Sequence, residues 1–192
     1  MLFKDIVPGP DSSQPADLVV AGNSLFFRGY SPIDGEAQQA WVSDGTPQGT
    51  VLFRDRFGGP GVWSNGFDPP AEFTELDGKL FFRALTPGPQ GCFCERQLWV
   101  SDGTPGGTRV ADIPSDANSG VHKLRVLGNR LVFVSRSETL GEMNLWISDG
   151  TPAGTRRLHS ESPHSIWDSY FVTVVRDRVF FGLQEQPTGS GL

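Results

Sequence analysis

The chain has 192 residues, of which 37% are hydrophobic, and it contains 24 Gly and 15 Pro. This length supports a domain whose core needs no metal or disulfide, and the Gly and Pro content indicates a folded chain with many turns. The formal net charge of −6 leaves no basic surface for a phosphate backbone, which argues against nucleic-acid binding. No apolar run is long enough for a membrane span, and Lys4 and Asp5 interrupt the stretch that a signal peptide requires.

The first predicted element is a β-strand at residues 1–6. Similar β-rich runs occur later in the chain, at residues 50–55 and 108–112, each directly after a shared motif. We therefore interpret residues 1–6 as the fourth strand of a preceding unit. Complete units are predicted at residues 16–56, 72–113 and 123–159, and a partial unit at residues 170–192.

Each unit begins with two short strands that flank a two-residue turn. The turns are Gly22-Asn23, Asp77-Gly78, Gly128-Asn129 and Arg176-Asp177, and the first three are strong hairpin signals. The strand after each turn is almost continuously apolar, as in Leu-Phe-Phe-Arg at residues 25–28 and again at 80–83. Such a run predicts a strand that is buried on both faces.

A Trp-bearing third strand and a fixed turn complete the unit. The sequence Trp-Val/Ile-Ser-Asp-Gly-Thr-Pro-x-Gly-Thr occurs at residues 41–50, 99–108 and 146–155. Because Trp41, Trp99 and Trp146 recur at one point of the unit, we predict that they pack between sheets, with exposed sugar-stacking platforms as the alternative. The second-strand phenylalanines are predicted to join this core: Phe26, Phe27, Phe81, Phe82, Phe133, Phe180 and Phe181.

The Asp-Gly pair in the motif is interpreted as turn chemistry. Asp accepts hydrogen bonds from backbone N–H groups two residues on, while Gly adopts a positive φ. A calcium loop needs several oxygen ligands close together, and this motif supplies one carboxylate. We therefore predict a structural turn and no metal at the three pairs: Asp44 and Gly45, Asp102 and Gly103, and Asp149 and Gly150.

No stretch shows a helical period, so the predicted class is all-β. Four-stranded antiparallel units of about 50 residues are typical of β-propeller blades, and a solenoid of stacked hairpins is the competing arrangement. We favour a propeller-like array of about three full repeats plus partial terminal repeats. A closed four-bladed ring and an arc of a longer array both remain open; the arc would expose blade edges that promote self-association.

The motif copies at Leu98-Trp-Val-Ser-Asp-Gly-Thr and Leu145-Trp-Ile-Ser-Asp-Gly-Thr resemble the ELWxxDGT repeat family of myxobacteria and related bacteria. The position of the family's leading Glu is occupied by Gln39, Gln97 and Asn144. The resemblance implies a large secreted or cell-surface repeat protein without an established enzymatic activity. On this basis we expect an extracellular or cell-surface location.

The connections between strands two and three, and between one unit and the next, vary in length. In a propeller both emerge on one face, where loop variation creates binding sites. The aromatic residues expected on this ligand face are Tyr30, Trp63, Phe67, Phe93, Trp167 and Tyr170. Aromatic rings mixed with acids suit a protein or carbohydrate ligand, although Trp63 and Trp167 have an equally good alternative role in plugging blade junctions.

Cys92 and Cys94 lie in an insertion that the other units lack. A zinc site needs about four ligands, and only His122, His159 and His164 are available to complete one. Because these residues come from different parts of the chain, we favour two free or labile thiols and predict no metal or cofactor.

No phosphate loop, nucleophile elbow or zinc-protease motif occurs, and no pair of carboxylates can be placed at catalytic separation. The sequence therefore predicts a non-catalytic extracellular module for binding or scaffolding, within a longer repeat protein. The alternative is a propeller-type glycan-acting enzyme or lectin.

Overall fold

The computed structural model describes residues 4–31, 37–53, 70–87, 93–136, 142–161 and 171–182. The elements of regular secondary structure in these residues are β-strands, which confirms the predicted all-β class. None of the described residues forms a helix long and apolar enough to cross a membrane.

The strands form three four-stranded sheets and one hairpin, each in strictly sequential antiparallel order. Sheet 1 contains β1 (Ala16–Ala21), β2 (Ser24–Ser31), β3 (Ala37–Ser43) and β4 (Val51–Leu52). Sheet 2 contains β5 (Ala71–Leu76), β6 (Lys79–Pro87), β7 (Phe93–Ser101) and β8 (Arg109–Val110). Sheet 3 contains β9 (His122–Leu127), β10 (Arg130–Arg136), β11 (Met143–Ser148) and β12 (Arg156–Glu161). The terminal hairpin contains β13 (Val172–Val175) and β14 (Arg178–Phe181).

The turns between first and second strands lie where the sequence predicts them. The first turn residue has a positive φ in each case, with values of 56° at Gly22, 51° at Asp77, 61° at Gly128 and 56° at Arg176. Gly adopts this conformation without strain, whereas a long β-carbon-bearing side chain does so at a cost. Arg176 is therefore the least suited of the four residues to its turn.

The sheets stack in chain order through layers of apolar side chains. We call the face of a sheet that points to the next sheet its forward face, and the opposite face its backward face. Phe26 and Val42 on the forward face of sheet 1 pack with Phe82 and Trp99 on the backward face of sheet 2. The corresponding layer between sheets 2 and 3 joins Phe81 and Leu98 to Phe133 and Trp146, and the layer between sheet 3 and the terminal hairpin joins Val132 to Val172.

These layers confirm that the second strands of the three sheets are buried on both faces. Phe26 and Phe27 are both buried although their side chains point to opposite faces, and the same holds for Phe81 and Phe82. The first strands also follow one another, because β1 contacts β5, β5 contacts β9 and β9 contacts β13.

Two sequence predictions require correction. Phe180 and Phe181 in the terminal hairpin are exposed instead of forming core. Phe180 projects from the forward face, which no described sheet covers, whereas Phe181 projects from the backward face beside His159 of sheet 3 and is still 39% exposed. Residues 4–6 form no strand, whereas the first three residues of the predicted segment lie outside the described part of the chain.

The segment around Ile6 packs against sheet 1 in the way that the linker between sheets 2 and 3 packs against sheet 3. Ile6 packs on Phe27 and Trp41 on the backward face of sheet 1, as Ile113 packs with Phe133 and Trp146 on that of sheet 3. The backbone N–H of Tyr30 donates to the carbonyl oxygen of Ser13 at 2.7 Å, which anchors the segment to β2. Residues 4–15 therefore cover part of the backward face of sheet 1 without forming a strand.

Candidate functional site

The Asp-Gly turn between β3 and β4 is held by hydrogen bonds within the turn, and Lys4 Nζ also donates to the carbonyl oxygen of Pro47 at 2.7 Å. Asp44 Oδ1 accepts from the backbone N–H of Thr46 at 2.9 Å and from its hydroxyl at 2.8 Å. The Thr46 hydroxyl oxygen accepts from the backbone N–H of Gly49 at 2.9 Å, and the hydroxyls of Ser43 and Thr50 lie 2.7 Å apart. The motif's carboxylate and hydroxyl groups thus bond to one another and to the backbone of their own turn.

The other two copies form the same network. Asp102 accepts from the N–H and hydroxyl of Thr104 at 2.9 and 2.7 Å, and Thr104 accepts from Gly107 N–H at 3.0 Å. The equivalent distances in the third copy, which joins β11 to β12, are 3.0, 2.7 and 3.0 Å. Three segments that share this motif therefore adopt the same local structure.

Hydrogen bonding also shifts the acidity of these carboxyl groups. The side-chain hydrogen bond from Thr104, followed by the backbone hydrogen bond from the same residue, lowers the pKa of Asp102 below its ordinary value. The equivalent bonds from Thr151 lower the pKa of Asp149. Both carboxyl groups are exposed, so the donors stabilise the ionised form without removing it from water.

Each turn needs two glycines for different reasons. Gly45, Gly103 and Gly150 have φ values of 87°, 88° and 86°, a region that L-residues rarely adopt. The backbone of Gly107 does not have a positive φ, so its conformation does not require glycine. A β-carbon at this residue, however, would overlap the carboxylate of Asp102. The sequence shows that this second glycine recurs, but only the structure shows that the folded-back aspartate excludes a side chain.

The three motif tryptophans lie on the backward faces of their sheets and are buried. The indole N–H of Trp41 donates to the carbonyl oxygen of Gly29 at 3.3 Å, and that of Trp99 donates to the hydroxyl of Thr86 at 3.3 Å. The indole N–H of Trp146 donates to the hydroxyl of Ser135 at 2.8 Å. Their indole N–H groups are bonded and their rings are buried, with the Arg157 guanidinium 5.9 Å from the centroid of the Trp146 ring. These rings therefore offer no open surface for stacking a sugar.

The predicted ligand face falls mainly on residues outside the described part of the chain. Trp63, Phe67, Trp167 and Tyr170 lie there, and for Phe93 only the backbone, in β7, is described. The half-buried Tyr30 lies near the end of β2, next to the connection that leads to β3. Because the strands alternate in direction, the connections from β2 to β3 and from β4 to β5 leave sheet 1 at the same edge, opposite the Asp-Gly turn.

The structure brings no metal-binding group together within its described ranges, where no cluster of three or more His, Cys, Asp or Glu residues is found. Cys92 and His164 lie outside those ranges, and the side chain of Cys94 is not described. His159 lies against the ring of Phe181 with a centroid distance of 5.6 Å.

A charged bulge in the first strand of each sheet was not found by sequence analysis. Asp17, Glu72 and Lys123 each lie five residues before the hairpin turn, and their φ values are 53°, 59° and 59°. The strand register shifts at these points. Glu72 Oε2 accepts the backbone N–H of Leu124 at 2.7 Å and so joins the first strands of sheets 2 and 3. The sequence signal that they share is a charged residue at the second position of the strand.

Asn118 is a second residue that sequence analysis missed. Its Oδ1 accepts from the backbone N–H of Leu98 at 2.5 Å, and its Nδ2 donates to the carbonyl oxygen of Ala111 at 3.2 Å. The side chain is buried, so these bonds satisfy backbone groups that water does not reach. Asn118 thereby attaches the linker between sheets 2 and 3 to the middle of β7.

Comparison with known proteins identifies no family. No family model matches the sequence, and no curated protein matches it. Among solved structures, the chain is similar to a family 117 glycoside hydrolase from the marine bacterium Zobellia galactanivorans, with 12% identity and a TM-score of 0.41. The match covers 82% of this chain and 50% of that structure, so the chain spans half of its length.

Proposed function

We propose that the chain is a non-catalytic, extracellular binding or scaffolding module built as a propeller-like array of blades. The succession of contacts from β1 to β5, β9 and β13 supports this arrangement, because the first strands of propeller blades lie next to one another around an axis. The resemblance of the motif to the ELWxxDGT repeats supports the extracellular location.

The observation that carries the proposal is the use of the repeated polar groups. The carboxylates of Asp44, Asp102 and Asp149 bond to threonines of their own turns. The indole N–H groups of the motif tryptophans likewise have partners within their own sheets. A motif whose Asp Oδ1 atoms and indole N–H groups bond within their own turns and sheets builds the frame, and recognition falls to the parts of the chain that do not repeat.

Those parts are the connections that leave each sheet at the edge opposite the Asp-Gly turns. They carry aromatic residues, such as Trp63 and Trp167, together with acids, such as Asp34 and Asp168. Aromatic rings beside hydrogen-bonding groups suit carbohydrate or protein surfaces. We therefore assign ligand binding to this edge and structural support to the opposite edge.

A glycan array with the purified chain tests the proposal, followed by titration calorimetry with any glycan that binds. Replacing Trp63 or Trp167 by Ala should weaken binding by about 10-fold or more while leaving the melting temperature unchanged. Asn129→Ala provides the control, because Asn129 is exposed in the hairpin turn at the opposite edge.

Equal loss of binding in the Asn129 control would contradict the assignment of the ligand face. Release of reducing sugar from a bound glycan would contradict the non-catalytic role and support the alternative, a glycan-acting enzyme. If no glycan binds, titration of the same variants against a candidate protein partner tests the other ligand class.

A further inference from the structure

The described part of the chain contains four Asp-Gly pairs, a dipeptide that can modify itself. In this reaction the backbone nitrogen of the glycine attacks Cγ of the aspartate, and the absence of a β-carbon on glycine permits the close approach. Three of the pairs belong to the repeated motif, and the fourth is Asp77-Gly78, in the hairpin turn between β5 and β6. The surroundings of the fourth pair differ from those of the other three.

In the motif turns the aspartate side chain is fixed by its own turn. Asp102 Oδ1 accepts from the N–H and the hydroxyl of Thr104 at 2.9 and 2.7 Å, and the carboxylate lies against Gly107. The other two motif copies have the same bonds. Rotation of the Asp102 side chain toward the Gly103 nitrogen therefore breaks two hydrogen bonds.

The glycine nitrogen of each motif turn is also bonded to a hydroxyl group. The N–H of Gly103 donates to Ser101 Oγ at 3.1 Å, and the corresponding distances in the other two copies are 3.2 and 2.9 Å. A hydroxyl group does not take up a proton near neutral pH, so it does not activate the nitrogen. In addition, cyclisation proceeds from the neutral carboxyl group, and the lowered pKa values of Asp102 and Asp149 reduce the fraction of that form.

The hairpin turn at residues 77–78 lacks these restraints. Asp77 and Gly78 are exposed, and among the described residues no hydrogen bond or ion pair holds the Asp77 carboxyl group. A β-carbon at Gly78 would have no atom within 4 Å, so the turn has open space beside it. The Gly78 N–H donates to Glu75 Oε1 at 2.8 Å. A carboxylate, unlike a hydroxyl group, accepts a proton from the group that it contacts.

We propose that Asp77-Gly78 is a site of spontaneous isoaspartate formation and that Glu75 carries the proton in the first step. The Gly78 nitrogen forms a bond to Cγ of the neutral Asp77 carboxyl group. Glu75 takes the proton from this nitrogen and gives it to the departing hydroxyl, which leaves as water. The product is a cyclic imide. Water then adds to the main-chain carbonyl carbon of Asp77 and breaks its bond to the Gly78 nitrogen, so the main chain runs through the side-chain carboxyl carbon.

The modification changes a turn that lies between two sheets. Isoaspartate adds one methylene group to the main chain of a two-residue turn that is flanked by the Leu76–Lys79 strand pair. The carbonyl oxygen of Gly78 lies beside Gly22 in the hairpin turn of sheet 1, 3.3 Å from the position of an added β-carbon. Isoaspartate at residue 77 should therefore loosen both hairpins and accelerate the hydrogen exchange of their amides. This proposal does not depend on what the ligand edge binds.

Prolonged incubation of the purified chain at mildly acidic pH tests the proposal. Electron-transfer fragmentation of proteolytic peptides measures isoaspartate at each position, and thus separates the four pairs from Asp34-Gly35 and Asn65-Gly66, which lie outside the described residues. Isoaspartate should form at residue 77 at least about 10-fold faster than at the motif aspartates, because each of these must first break its hydrogen bonds. In concentrated urea the four rates should become similar, because unfolding removes the restraints.

Two variants test the roles of the neighbouring groups, with circular-dichroism melting as the check that each is folded. Glu75→Gln should slow isoaspartate formation at residue 77 at least about 3-fold, because an amide does not accept the proton. Glu142→Gln is the matched control, since it removes the same charge from a residue next to β11 and should leave the rate unchanged. Thr104→Ala should raise the rate at Asp102 by about 3-fold or more, with the other two motif copies as internal controls.

The proposal fails if the folded chain forms isoaspartate at the motif pairs as fast as at residue 77. It also fails if residue 77 remains the fastest by the same factor in urea, because the fold would then not be the cause. An unchanged rate in Glu75→Gln would overturn the assignment of the proton carrier.

Discussion

Gly107→Ala is expected to destabilise the protein only while Asp102 is present. A β-carbon at residue 107 would overlap the Asp102 carboxylate, which must then rotate away from Thr104. Rotation breaks the bonds from the Thr104 N–H and hydroxyl, at 2.9 and 2.7 Å. In the Asp102→Ala background the obstacle is absent, and the same glycine substitution meets open space on that side.

The magnitude follows from the exposure and backbone of the turn. Asp102 is exposed, so water replaces part of what is lost, and Asp102→Ala should lower the free energy of unfolding by about 1 kcal/mol. Gly107→Ala should lower it by about 2 kcal/mol, because residual crowding adds to the broken hydrogen bonds. Gly107 is not among the residues with a positive φ, so Ala in the Asp102→Ala background should stabilise by about 0.5 kcal/mol through reduced unfolded-chain entropy.

Urea unfolding followed by tryptophan fluorescence at pH 7 measures this double-mutant cycle. We expect an interaction energy of about 2.5 kcal/mol between the two positions, the difference between the effects of Gly107→Ala in the two backgrounds. Gly106→Ala is the matched control, because a β-carbon at residue 106 has no atom within 4 Å, and it should have the same small effect in both backgrounds. Equal destabilisation by Gly107→Ala with and without the aspartate would refute the explanation that the carboxylate excludes the side chain.

Three further predictions concern other parts of the frame. Trp99→Ala empties a site between sheets 1 and 2 and should lower the free energy of unfolding, measured in urea, by about 3 to 5 kcal/mol. Loss of glycan binding without a change in stability would instead show that this ring is a binding platform. The lowered pKa values of Asp102 and Asp149 mean that the stability these carboxylates contribute is present above about pH 4 and is lost as the pH falls through their folded-state values. The double Asn variant should therefore lose less stability than the parent between about pH 5 and pH 2, and identical acid profiles would contradict this. Arg176→Gly removes a strained positive-φ residue from the last hairpin turn and should slow the hydrogen exchange of the backbone amides in that hairpin. Faster exchange would show that Arg176 makes a compensating contact.

The local order of the chain follows from its sequence alone. Turn residues such as Asp77-Gly78, the apolar second strands and the Trp-bearing motif predicted the sequence of strands within a unit, and the described sheets have that order. These features can be predicted from the sequence because hairpin turns and strand periodicity depend on interactions between residues that are close in the chain. The sequence also showed that two glycines recur in the motif, but only the first had a local explanation.

The tertiary structure decided which side chains share a layer. Phe26 and Phe180 occupy the same position in their units and have the same identity, yet one is fully buried and the other is 48% exposed. No local pattern separates them, because burial depends on whether another sheet lies against the face on which the side chain projects. The side chains of Glu72 and Asn118 likewise bond to backbone groups that are distant in the sequence. The need for Gly107 depends on how the Asp102 side chain folds back over its turn, which the sequence pattern does not give.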